Sequence, residues 1–122
     1  MRRVLLWAPP IIYMAVIFGF SAQSNPIPVV TEHVWDKLLH TTEYAGLALL
    51  LTRAFVGEGV SLTTAAFLAM IATSVYGGTD EFHQWFVPGR NSDVRDWLAD
   101  SVGAGVGAIV YTFIASRWTN QR

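Results

Sequence analysis

The sequence predicts an all-α protein: a four-helix transmembrane bundle with both termini cytoplasmic and a polar cluster at its extracytoplasmic end. Three observations lead there. The chain is 52% hydrophobic and only 14% charged, whereas soluble domains carry about 25% charged residues. Its apolar residues fall into four runs close to the roughly 20 residues that cross a bilayer core. Its ionisable side chains gather at the ends of those runs. The clearest case is "TDEFHQWFVPGR" at 79–90, directly after seventeen residues without a charge. The runs do not alternate with the period of two that barrel strands need, and helices are the other way to satisfy a backbone in lipid. At 122 residues the chain is a single domain, 1–122.

The first helix is expected at about 4–22, in "VLLWAPPIIYMAVIFGFSA", which has no charge. Arg2 and Arg3 before an apolar run also fit a signal peptide cleaved after "FSAQS". The run exceeds the usual h-region of roughly 7–15 residues, and three more follow, so it reads as a retained helix. Pro9 and Pro10 are expected to kink it or to mark where its regular part begins. The second helix, about 38–55, is the weakest, because His40, Glu43 and Arg53 interrupt it. The third, about 62–85, is uniformly apolar to Gly78, with Ser61 placed to cap it. "VPGRN" is a turn punctuated by Pro88–Gly89. The fourth helix, about 93–117, has Asp93 as N-cap and is apolar over 98–116 apart from Asp100.

Charge sets the expected orientation. With the N-terminus inside, Arg2, Arg3, Arg53, Arg117 and Arg122 are cytoplasmic, against Lys37, Arg90 and Arg95 outside. That asymmetry follows the positive-inside rule. Among the acids, Glu58 is inside, and Glu32, Asp36, Glu43, Asp80, Glu81, Asp93, Asp96 and Asp100 are outside. A net charge of −1 gives no field for nucleic acid. The absence of cysteine removes disulfides, thiol catalysis and thiolate metal sites.

Spacing then groups the polar residues. In "DKLLHTTEY", Asp36, His40 and Glu43 or Tyr44 share a helix face, as do Asp80, His83 and Gln84 in "DEFHQ". Asp96, Asp100, Gly103 and Gly107 form one stripe, overlapping a small-residue row of Ala99, Gly103 and Gly107 that lets membrane helices approach closely. "GAGVG" follows no strand, so it reads as packing rather than a phosphate loop. Lys37, Glu32, His33 and Arg95 read as headgroup-zone residues, Glu58 as a solvated loop residue, and Trp35, Trp85, Trp97 and Trp118 as interfacial aromatics. The remaining set of His40, Glu43, Asp80, Glu81, His83, Gln84, Arg90, Asp96 and Asp100 is too large to be incidental at three helix ends. Arg90 is expected within hydrogen-bond reach of Asp80, Glu81 or Asp96.

"DKLLHTTEY", "DEFHQWFVPGR" and "DWLADSVGAGVG", in that order over 36–107, resemble the VanZ-like family of small bacterial membrane proteins. Its Asp-Lys with a following His and Tyr is matched by Asp36, Lys37, His40 and Tyr44. Its Asp-Glu-x-x-Gln-x-Phe-x-Pro-Gly-Arg is matched by Asp80, Glu81, Gln84, Phe86, Pro88, Gly89 and Arg90, and its final Asp and Gly-rich helix by Asp96, Gly103 and Gly107. Where relatives commonly carry Asn, this chain has Asp100. The resemblance implies a multi-pass protein of the bacterial inner membrane, in a family named for a member associated with teicoplanin resistance.

Two functional readings follow. In the first, the polar end binds or processes a cell-envelope intermediate or glycopeptide-related ligand. His40, Asp80, Glu81 and His83 are then candidate catalytic groups, because imidazole titrates near neutrality. Lys37, Tyr44, Gln84 and Arg90 are candidate substrate-binding groups, with Arg suited to bidentate contact with an anion. Asp36, Glu43, Asp96 and Asp100 form the supporting polar network. No cofactor is required, although His40, His83, Asp80 and Glu81 offer ligands to a divalent metal. In the second reading, the chain is a non-catalytic accessory subunit that docks onto a larger membrane complex. Membrane lipids are partners in both, and nucleic acid in neither. A transporter is less well matched, because its charges would lie along a path at the midplane.

Overall fold

The computed structural model describes residues 1–23 and 33–121. Ser24, Glu32 and Arg122, which entered the reading above, lie outside the described residues. Four helices follow one another: α1 (Arg2–Ser21), α2 (His33–Gly57), α3 (Leu62–Gln84) and α4 (Val94–Asn120), with no strand among the described residues. The helices outrun the apolar segments that announced them. α2 begins at His33 rather than Leu38, and α4 continues to Asn120. Helical hydrogen bonds do not need apolar side chains, so polar turns extend a helix past the run that reveals it.

Three helices, α1, α3 and α4, are long and apolar enough to cross a membrane. They present Ile11, Ile12, Phe67, Ile71, Val102 and Ile109, among others, on the outside. α2 carries Asp36, Lys37, His40, Glu43 and Arg53 and packs against each of the other three, most extensively against α4. A helix carrying Asp36, His40 and Glu43 is thereby surrounded by protein rather than lipid, which lowers the cost of its polar groups.

Small residues make the close packing possible. A Cβ on Gly103 would overlap the carbonyl oxygen of Thr41, and one on Gly107 would overlap that of Ala45. The glycine row of α4 therefore lies directly on the α2 backbone, the contact expected of small-xxx-small rows. Ala48, Ala54, Ala65, Ala69, Ala104 and Ala108 are fully buried, and Tyr44, Leu47, Leu51 and Ile17 fill the space between them.

Pro9 and Pro10 stay inside α1. Proline has no N–H, so Pro9 deprives the carbonyl of Leu5 of its intrahelical partner. Arg53 of α2 donates to that carbonyl at 3.3 Å. α1 is tied further along by Tyr76 OH, which donates to the carbonyl of Met14 at 2.6 Å. The expected caps are in place: Ser61 Oγ accepts from the Thr64 amide and Asp93 Oδ1 from the Arg95 amide. Gly89 turns the α3–α4 connection with φ of 80°, a conformation that glycine adopts without strain. Glu58 is not a free loop residue; it accepts from Trp7 Nε1 at 3.0 Å and pairs with Arg3 at 3.3 Å.

Candidate functional site

The chain reverses direction three times, so the start of α2, the end of α3 and the start of α4 meet at one end, beside the last turn of α1. Asp36 and Asp96 lie in the first turns of α2 and α4, where unpaired backbone amides favour negative charge. Below them, α2 contributes His40, Glu43 and Tyr44. The buried side of α3 presents Gly77, Asp80, Glu81 and Gln84, and that of α4 presents Asp96, Asp100 and Gly103.

These side chains form a connected set. Lys37 pairs with Asp96 and also lies 3.5 Å from Asp36 and 3.8 Å from Asp93. His40 Nδ1 is 2.7 Å from Asp100 Oδ1, and its Nε2 is 3.8 Å from Asp36 Oδ1. Tyr44 OH donates to Asp80 Oδ2 at 3.1 Å, and Gln84 Nε2 donates to Ser21 Oγ at 2.9 Å. Glu81 Oε2 accepts from the Asp93 amide at 3.1 Å and from Ser92 Oγ at 3.3 Å, tying α3 to the cap of α4. Burial is nearly complete, with His40 at 5%, Asp80 at 4%, Glu81 at 6% and Asp100 at 0% exposure.

Beside this set lies a cavity of about 110 Å³. Ile17, Phe20 and Leu39 form its apolar wall, and Asp36, His40, Glu43, Asp80, Gln84 and Arg90 its polar one. Five of the sequence-nominated polar residues thus share the cavity with Asp36. Lys37, Tyr44, Glu81, Asp96 and Asp100 join them through the contacts above.

Two expectations need correction. His83 does not share the buried face with Asp80 and Gln84. It lies at the edge of that face, half-buried, and stacks on Phe18 of α1 with ring centroids 4.4 Å apart. The buried face of α3 runs through Gly77, Asp80, Glu81 and Gln84, which leaves position 83 turned towards α1. Arg90 lines the cavity but forms no ion pair with Asp80, Glu81 or Asp96 among the described residues. It is Lys37 that neutralises acids across helices.

Asp100 now has a definite position, as the carboxylate against His40. Sequence reasoning passed over Ser21, Ser92 and the amide of Asp93 as partners of the site. Ser21 carried a faint signal, a hydroxyl ending a charge-free run. Ser92 carried none, because its contact depends on how a loop folds back.

The VanZ/LLP1 family model matches residues 5–115. No curated protein and no solved structure matches the chain. That match reaches into all four helices and takes in the whole polar end, and with it the chain belongs to the VanZ/LLP1 family and is a membrane protein.

Proposed function

We propose that the protein binds the anionic head group of an envelope amphiphile in the cavity at its polar end, with that end facing out of the cytoplasm. The observation that carries this reading is the division of labour between the two cations. Lys37 is committed to Asp96, Asp36 and Asp93, whereas Arg90 lines the cavity without a carboxylate partner among the described residues. An arginine in that position offers a planar pair of donors to a phosphate or carboxylate. The mixed lining suits an amphiphile, with Ile17, Phe20 and Leu39 against the apolar part and Gln84 and Arg90 against the head. Location in the bacterial inner membrane, with both termini inside, belongs to the same reading. It is supported by the clustering of Arg2, Arg3, Arg53 and Arg117 away from the cavity.

The test is to extract the protein with its surrounding lipid into polymer-bounded discs and to identify the retained lipids by mass spectrometry. Enrichment of an anionic amphiphile over the bulk membrane, lost in Arg90→Ala, is the expected result. No enrichment, or enrichment that survives the substitution, removes the reading. Co-purification of a large protein instead would favour the accessory-subunit role. Orientation is checked with Gln23→Cys, an exposed position in this cysteine-free chain; labelling from the cytoplasmic side alone contradicts it.

A further inference from the structure

The polar end holds more carboxyl groups than basic ones. Asp36, Glu43, Asp80, Glu81, Asp96 and Asp100 are buried or half-buried there, facing Lys37, His40 and Arg90. Two groups bring three potential ligand atoms within 4.8 Å of one another: Asp36 with His40 and Asp96, and His40 with Glu81 and Asp100. In the first, Lys37 already pairs with both carboxylates. In the second, no lysine or arginine among the described residues pairs with either carboxylate, and His40 meets Asp100 through Nδ1 alone.

Its carboxylates are also incompletely bonded. Glu81 Oε1 and Asp100 Oδ2 are buried and have no hydrogen-bond partner among the described residues, and the same holds for Oδ1 of neighbouring Asp80. Their residues are 94% or more buried, at 6%, 0% and 4% exposure. Asp100 Oδ2 lies against Gly77, 2.9 Å from where a Cβ would stand, one helical turn from Glu81. Glu81 and Asp100 thus meet in the seam between α3 and α4, each offering a ligand atom within 4.8 Å of the other and of His40. A buried carboxylate oxygen without a donor is costly, and two such carboxylates brought together, Glu81 and Asp100, call for a shared positive partner.

We infer that His40, Glu81 and Asp100 form a binding site for a divalent cation inside the bundle, beneath the cavity. One imidazole with carboxylates suits a first-row ion such as Zn²⁺ or Mn²⁺ better than Mg²⁺ or Ca²⁺, which favour all-oxygen sets. His40 borders both the cation site and the cavity, so the cation would also offset the acidic field met by an anionic head group. The site does not depend on that ligand, and its test does not use one.

The wild-type protein, purified without chelator, is assayed for bound metal by elemental mass spectrometry. It is then stripped with EDTA and titrated with Zn²⁺ or Mn²⁺ while thermal unfolding is followed. Near-stoichiometric metal, a lower Tm after stripping and recovery with one of the two ions are expected. Asp100→Asn and Glu81→Gln keep an oxygen for their present hydrogen bonds but weaken the ligand set. Each should reduce apparent affinity at least about tenfold, while Glu58→Gln at the far end binds like wild type. Variants that bind as tightly as wild type overturn the site. So does a wild-type protein whose Tm answers to neither ion, and that arm decides alone if a variant fails to fold.

Discussion

The two ends of this bundle use similar residues in opposite ways. At the end near the N-terminus, Arg3 pairs with Glu58 at 3.3 Å, and Arg3 is 84% exposed. Such a pair is screened by solvent and contributes about 0–1 kcal/mol. At the other end, His40 and Asp100 meet at 2.7 Å with side chains 6% and 0% exposed. There both groups have given up their water, and the partner is obligatory rather than optional. Removing one member of a buried pair typically costs about 3–5 kcal/mol. Charge placed at a membrane surface needs no special explanation. Charge built into the seam between helices does, and the polar end is where it accumulates.

The sharpest way to break this comparison is His40→Ala. It strands the carboxylate of Asp100 in the interior, and unfolding in detergent should show a loss of about 3–5 kcal/mol. A loss below about 1 kcal/mol would mean that the buried end is no more demanding than the exposed one. Gly107→Ala tests the packing that holds the seam together. Its Cβ would meet the carbonyl of Ala45, and overpacking of this kind costs about 1–3 kcal/mol. Unchanged stability would show that α2 and α4 have slack. At the exposed end, Glu58→Gln should change stability by no more than about 1 kcal/mol, because Trp7 keeps an oxygen acceptor. A loss as large as that of His40→Ala would erase the distinction.

The same contrast explains what could be read from the sequence. Four helices were legible because charges punctuate the apolar runs, and the faces of α2 and α4 were legible because spacing fixes them. The start of α2 at His33 was not, since hydropathy marks only 38–55 as apolar. The double proline of α1 looked disruptive because the donor that serves Leu5 belongs to Arg53, 48 residues away. Within the site, spacing brought His40, Asp80, Gln84 and Asp96 to the right end of the bundle. It misassigned His83, which sits at the margin of its helix face where neighbouring packing decides the direction. The expected pairing of Arg90 with Asp80, Glu81 or Asp96 failed, because its surroundings depend on how a loop returns across helix ends.

Arg90 therefore carries the central claim, that the polar end is a binding site and not only a lock between helices. Arg90→Lys keeps the charge and removes the planar fork. Measuring Tm and retained amphiphile on one preparation of this variant tests the claim most directly. The account predicts a Tm within error of wild type and loss of the retained anionic amphiphile. A Tm that falls together with retention would make Arg90 part of the lock, and wild-type values for both would contradict the site itself.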